Sequence, residues 1–130
     1  MKFRIVVILS ITVILISLVV AEQIFITNTL SFMQQESEVL KQEIFNQNDV
    51  NSSFLIEKID FLDKSWAKRE NILCLLVNHK DMEKVGEQIK KLQVLINQNS
   101  KKEAEYEIQL LCYYIDSYEH FISLNFQNIF

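Results

Sequence analysis

The sequence predicts an all-α protein, with one N-terminal transmembrane helix followed by an antiparallel helical bundle of three to four helices. Residues Ile5 to Ala21 form an unbroken uncharged run, and beyond it apolar residues recur in alternating steps of three and four. Such steps mark one face of a helix. The chain also has no proline and a single glycine, Gly86. Sheets and tight turns need more of these residues than that, so strands are not expected.

The uncharged run has the length and composition of a membrane anchor. Thirteen of its seventeen residues are Ile, Leu or Val. At about 1.5 Å per helical residue the run spans roughly 26 Å, close to the ~30 Å thickness of a hydrocarbon core. Those aliphatic residues favour insertion by roughly 4–8 kcal/mol in total. The three hydroxyl side chains, on Ser10, Thr12 and Ser17, can bond back to the helix. Residues 5–21 are therefore predicted to insert into the lipid bilayer.

The flanking charges predict the orientation of the anchor. Lys2 and Arg4 precede the run, whereas no Lys or Arg follows it until Lys41. The positive-inside rule then leaves residues 1–4 in the cytoplasm and exports residues 22–130, with the cell membrane as the location. The alternative is a signal peptide cleaved after Ala21, which would make the protein secreted. The run is slightly long for the apolar core of a signal peptide, which favours a retained anchor.

The exported part is long enough for one domain and is acidic. Without Lys2 and Arg4, 11 basic side chains face 17 acidic ones, a formal charge of −6 over 109 residues. Such a charge disfavours nucleic acid and anionic lipid headgroups as partners. Cys74 and Cys112 could form a disulfide outside the cytoplasm. Two buried free thiols are the favoured alternative.

Four segments carry the helical spacing, and segment one can continue outward from the anchor without a break. Segments two to four are joined by short polar connections at 78–81 and 97–100, which favours antiparallel neighbours. The loop at 46–53 is longer. The positions that form the predicted packing seams are Ile26, Leu30, Met33, Leu40 and Ile44 (interrupted by Ser37); Leu55, Ile59, Leu62, Trp66, Leu73 and Leu76 (interrupted by Arg69); Met82, Val85, Ile89, Leu92 and Ile96; and Ala104, Ile108, Leu111, Ile115, Tyr118 and Ile122.

The residue patterns offer no catalytic, cofactor-binding or metal-binding constellation. His79 and His120 are the only histidines, and neither an HExxH nor a CxxC spacing is present. A nucleophile elbow and a phosphate-binding glycine loop both need glycines that this chain lacks. The charged residues of segment three, among which Asp81 precedes Lys84 and Glu87 precedes Lys91, are expected to pair along a solvated helix face. The sequence thus argues against an enzyme and against a bound cofactor.

Aromatic and apolar side chains are abundant near the C-terminus. The aromatic ones are Tyr106, Tyr113, Tyr114, Tyr118, Phe121, Phe126 and Phe130. One helical stripe cannot hide all of them, so we expect some rings to face another segment, the membrane interface or a partner. Leu124, Phe126, Ile129 and Phe130 are too apolar for a frayed tail. They are expected to dock on the bundle or on a membrane partner.

One pattern in the chain resembles a known family. Trp66 is followed by Ile72, Leu73, Leu75 and Leu76, then by His79 with Asp81, then by Val85, Ile89 and Leu92; Glu119, Ser123, Leu124 and Asn128-Ile129-Phe130 close the chain. This resembles the domain-of-unknown-function 4363 family of short, membrane-anchored helical proteins from spore-forming Gram-positive bacteria. The resemblance implies no enzymatic activity, and because family members are often encoded near a multi-span membrane protein, it hints at a membrane partner. It also marks Trp66, His79, Asp81, Glu119, Asn128, Ile129 and Phe130 as possible interaction positions.

These observations predict a non-enzymatic protein of the cell envelope that acts through protein–protein interaction, with a membrane or envelope protein as partner. The anchor and the surplus of aromatic surface support this function. The alternative is a small-molecule-binding or sensor-like ectodomain, because helix bundles can hold ligands between their helices.

Overall fold

The computed structural model describes the backbone of residues 1–127 and the side chains of residue 1 and residues 3–122. This part of the chain contains four α-helices and no strand: α1 (Lys2–Asn46), α2 (Ser53–Leu76), α3 (His79–Asn97) and α4 (Lys101–Gln127). The predicted all-α class is confirmed. Asn128, Ile129 and Phe130 lie outside the described residues, as do the side chains of Leu124 and Phe126. The predicted docking of the C-terminal tail therefore stays a prediction.

The helices form a closed ring of neighbours in which α1 packs on α2 and α4, and α3 packs on α2 and α4. Contacts between distant residues show that neighbours run antiparallel. The Ser31 hydroxyl of α1 donates to Glu119 of α4 over 2.7 Å, whereas Lys101, at the start of α4, donates to the carbonyl of Gln47 just after α1. The predicted bundle is thus an up-down-up-down arrangement of four helices.

The predicted seams form the core. Every seam position from Ile26 to Ile115 is buried except Leu76, which is half-buried, and Tyr118 and Ile122 pack against the core from the end of α4. Of the two interruptions, Ser37 is fully buried. The other, Arg69, is half-buried and its guanidinium lies 4.6 Å from the centre of the Phe32 ring. Spacing alone therefore located the packing face of each helix.

Two loops meet at the far end of the bundle, the end at which α1 stops. Asn99 has a φ of 56°, in the left-handed region that Asn tolerates better than most residues. Its side-chain oxygen accepts a hydrogen bond from the backbone N–H of Val50 over 2.8 Å, and its amide donates to Asp49 over 3.2 Å. One residue therefore ties the α3–α4 connection to the α1–α2 loop.

Ion pairs on α3 differ in part from the sequence-based expectation. Asp81 pairs with Lys84 as predicted, over 3.4 Å. Lys91, however, reaches across to Glu107 of α4 over 2.5 Å instead of pairing with Glu87. Glu107 is buried, and a buried carboxylate gains more from a close cation than an exposed one does. The helix pairing thus decides the partner of Lys91.

By length and composition, the first part of α1 could cross a membrane. The large apolar side chains of residues 5–20 are exposed. Its hydroxyls donate to the carbonyls four residues earlier, from Ser10 to Val6, Thr12 to Ile8 and Ser17 to Val13, over 2.8–2.9 Å. These bonds leave no hydroxyl hydrogen to be satisfied by water, which suits a hydrocarbon environment. The same length and composition also fit a signal sequence.

Candidate functional site

A pocket of about 350 Å³ opens at the near end of the bundle, where α1 enters it. Its lining comes from all four helices and the α2–α3 connection: Glu22, Gln23 and Ile26; Leu76, Val77 and Asn78; Asp81 and Met82; and Tyr118, Phe121 and Ile122. The volume lies within the range of ligand-binding pockets, roughly 300–1,000 Å³.

The short connection between α2 and α3 forms one wall of this pocket. The helix α2 ends at Leu76, and Asn78 caps α3 by accepting a hydrogen bond from the backbone N–H of Lys80 over 3.1 Å. Because only Val77 and Asn78 separate the two helices, α3 turns back at once, and Asp81 and Met82 in its first turn line the pocket opposite residues of α1.

The pocket combines an apolar wall with acidic and phenolic groups. Burial raises the pKa of the Tyr118 hydroxyl, and the nearby Asp81 carboxylate and Tyr114 raise it further. Tyr118 therefore stays protonated at neutral pH and can donate a hydrogen bond. Asp81 and Glu22 offer acceptors and negative charge. The arrangement suits an apolar group that carries a basic or hydrogen-bonding neighbour.

Among the described residues, no group of three or more His, Cys, Asp or Glu side chains is arranged to hold a metal ion. Both cysteines are free thiols, with Cys112 buried and Cys74 half-buried. Burial raises the pKa of Cys112 to about 12, and the neighbouring Glu38 adds to the shift. A thiol held in this way carries very little of the reactive thiolate at neutral pH.

The residues singled out from the sequence do not converge on one site. Asp81 lines the pocket, and His79 lies at the start of α3, exposed, with its Nε2 2.7 Å from Glu83. Glu119 accepts the hydrogen bond from Ser31 on the α1–α4 face. Trp66 is a core residue that is only 2% exposed. Of these four, Asp81 alone belongs to the pocket.

Sequence reasoning did not single out Glu22 or Phe121 as members of a site. In the sequence Glu22 is only the first residue of the part predicted to be exported, and Phe121 is only one of the abundant C-terminal aromatic residues. The signal that could have found them is geometric: α1 and α4 are antiparallel, so residues that follow the apolar run lie beside residues near the end of α4. Tyr118 was identified as a seam position, and its hydroxyl rather than its packing places it in the site.

The predicted surplus of aromatic surface is present. Phe121 and Tyr113 are each 64% exposed and Tyr106 is 60% exposed, whereas Tyr114 and Tyr118 pack against the core. A second aromatic surface, on α1 and α2, was not foreseen. There Phe61 meets Phe32 edge to face with ring centres 6.2 Å apart, and Phe61 is about half exposed.

A family model described as a domain of unknown function, DUF4363, matches residues 20–129. The match begins at the end of the apolar run and covers the whole bundle. No curated protein and no solved structure matches the chain.

Proposed function

The chain belongs to the DUF4363 family, and we propose that it is a non-enzymatic, membrane-anchored protein whose exported bundle binds another membrane protein of the cell envelope through the pocket at the near end. Residues 1–4 remain in the cytoplasm, residues 5–21 span the membrane as a retained anchor, and residues 22–130 lie outside. The basic flank of Lys2 and Arg4 and the internally satisfied hydroxyls of the anchor support this topology.

The position of the pocket relative to the anchor carries the proposal. Glu22, Gln23 and Ile26 line the pocket and follow Ala21 on the same unbroken helix. At about 1.5 Å per residue, these residues lie within roughly 8 Å of the end of the apolar run. The pocket therefore opens at the level of the membrane surface, where the external loops of an integral membrane protein are within reach.

The lining indicates the chemistry of the partner segment. Ile26, Val77 and Ile122 offer apolar contact, whereas Glu22 and Asp81 add negative charge. A loop that presents an apolar side chain next to Lys or Arg fits both features. Burying the apolar side chain would supply most of the affinity, and the charges would favour basic over acidic segments.

Photocrosslinking in intact cells tests this function. A photoreactive amino acid replaces Phe121, which lines the pocket, or Tyr113, which has the same exposure on the same helix but lies outside the pocket. We expect a discrete crosslink to a membrane protein from position 121 and none from position 113. Asp81→Lys, which replaces one of the two negative charges of the pocket by a positive one, should abolish the crosslink.

Crosslinks of equal yield from both positions, or none from either, would contradict the use of this pocket. The topology has its own measurement. Protease added to intact protoplasts should degrade the bundle, while mature protein that begins at Glu22 would show cleavage instead of a retained anchor.

A small amphipathic molecule is the second candidate for the pocket. The volume of about 350 Å³, the apolar wall and the protonated Tyr118 favour it. The same crosslinking experiment separates the two candidates. A ligand would add a small mass to the position-121 variant, whereas a protein partner would give a large crosslinked product.

A further inference from the structure

We propose that the last turns of α2 form a second contact with the bilayer, in which Ile72 and Leu75 enter the headgroup layer while Lys68 stays at its outer, water-facing side. This contact lies outside the pocket and rests on the proposed anchoring of α1. It assigns a lipid surface as the partner of an outer helix face that the bundle leaves uncovered.

The exposure of Leu75 is the first observation. Its side chain is 86% exposed, more than any other large apolar side chain described beyond residue 21, and Ile72 is 48% exposed. Residues three apart lie on the same face of a helix. Ile72 and Leu75 therefore present one apolar surface that points away from the core. The neighbouring Leu73 points the other way and is fully buried in the core.

The depth of this surface follows from its contacts with α1. Leu76 and Val77, which directly follow Leu75, share the pocket with Glu22, Gln23 and Ile26. The end of α2 is thus level with the first residues after the apolar run. Headgroup layers add roughly 5–8 Å on each side of a ~30 Å hydrocarbon core, so this level falls within the headgroup layer.

The polar residue on the same face fits a membrane surface as well. Lys68 is exposed and lies four residues before Ile72, which places it on the same face but about 10 Å farther from the membrane than Leu75. A basic side chain in this position remains in water on the outer side of the headgroup layer, while the apolar residues closer to the membrane enter the interface. The other end of the bundle lies roughly 35 Å away along α1, out of reach of the bilayer.

Tryptophan fluorescence in lipid nanodiscs tests the contact with the full-length chain. The nanodiscs contain phosphatidylcholine and phosphatidylglycerol whose acyl chains carry bromine, which quenches nearby indoles. Three single variants are compared with the parent chain, in which the buried Trp66 gives the baseline: Ile16→Trp in the anchor, Leu75→Trp in the proposed contact, and Val94→Trp at the far end. Val94 is a matched control because it is also exposed, at 52%.

We expect bromine to quench the Ile16→Trp and Leu75→Trp variants, the latter to a smaller extent, and to leave Val94→Trp at the baseline. Quenching of Ile16→Trp with Leu75→Trp at the baseline would overturn the contact while leaving the anchor intact. If Ile16→Trp itself escapes quenching, the anchoring fails and the contact fails with it. Ile72→Trp repeats the measurement on the same face, should the helical circular dichroism of Leu75→Trp differ from that of the parent.

Discussion

The indole Nε1 of Trp66 lies 3.0 Å from the position that a Cβ atom on Gly86 would occupy. Gly86 is the only glycine of the chain, and it stands in the middle of α3, where glycine weakens a helix. Glycine at position 86 lets the buried indole of α2 pack this close to α3, because a side chain there would press on the ring. Trp66, one of the predicted seam positions, is buried in the core as that seam predicts.

Gly86→Ala should destabilise the protein although alanine favours helices. The gain in helix propensity is about 1 kcal/mol, whereas overpacking a closed contact costs about 1–3 kcal/mol. Thermal unfolding of the full chain in detergent measures the balance. In a Trp66→Phe background, where a smaller ring leaves room, the same substitution should become neutral or stabilising. Equal effects in the two backgrounds would show that the two residues are not coupled.

Trp66→Ala should lower the free energy of unfolding by about 3–5 kcal/mol, as large-to-small changes in a core do. Chemical denaturation followed by circular dichroism provides the measurement. Phe61→Ala is a suitable comparison, since Phe61 is an aromatic residue of the same helix that is about half exposed. It should cost much less. A Trp66→Ala variant with unchanged stability would instead indicate that Trp66 serves in binding rather than in the core.

Glu107 should make stability depend on pH in the acid range. Burial opposes its ionisation, but hydrogen bonds from Lys91 and Gln88 outweigh that effect and lower its pKa below the ordinary value of 4.5. A carboxyl group with a lowered folded-state pKa stabilises the fold above its unfolded-state value, and this contribution is lost as pH falls through the folded-state value.

At pH values below about 4.5, the melting temperature should therefore decrease as the pH is lowered. Glu107→Gln should flatten this part of the plot of melting temperature against pH. Glu105→Gln, on the same helix, is the control. If both variants keep the full acid-induced decrease, Glu107 is not the group responsible.

Asn99 should be sensitive to substitution for two separable reasons. Asn99→Ala removes the hydrogen bonds to Val50 and Asp49 and puts at a φ of 56° a residue that tolerates this conformation less well than Asn does. The left-handed conformation costs an ordinary L-residue about 1–2 kcal/mol, and each hydrogen bond contributes about 0.5–1.5 kcal/mol. Asn99→Gly removes the same hydrogen bonds without a steric cost at this φ, so its melting temperature should lie between those of the parent and Asn99→Ala. If the glycine variant were as unstable as the alanine variant, the left-handed conformation at position 99 would contribute nothing to the loss of stability.

The two thiols should differ in reactivity. Cys112 is buried with a pKa of about 12, whereas Cys74 is half-buried with a more modest rise in its pKa, caused first by burial. Iodoacetamide at pH 8 should modify Cys74 in the folded chain and reach Cys112 only after denaturation. Mass spectrometry of the parent and of Cys74→Ser locates the label. A denatured, unreduced chain that takes up no label would reveal a disulfide instead.

The packing of the bundle could be predicted from residue spacing because each helix has one buried face. Ile59 and Leu62, or Val85 and Ile89, mark that face without knowledge of the neighbouring helix. The continuity of α1 from the anchor into the bundle was also predictable, since no residue between Ala21 and Thr27 ends a helix.

Contacts between helices could not be predicted in the same way. The pairing of Lys91 with Glu107 depends on the rotation of α3 against α4, which local spacing does not encode. The same reason applies to the pocket, where Glu22 and Phe121 meet although 98 residues separate them in the sequence. Residues that act on opposite sides of an interface need the fold itself before they can be recognised.

The proposed membrane segment and the bundle share one unbroken helix, α1. Its residues 22–46 include neither proline nor glycine, the residues at which helices most often bend. A membrane helix commonly tilts by about 20°, and over the roughly 37 Å of residues 22–46 such a tilt would displace the far end sideways by about 13 Å. If residues 5–21 span the membrane as proposed, a change in bilayer thickness, or a rotation of this segment against a neighbour, would therefore move the whole bundle sideways.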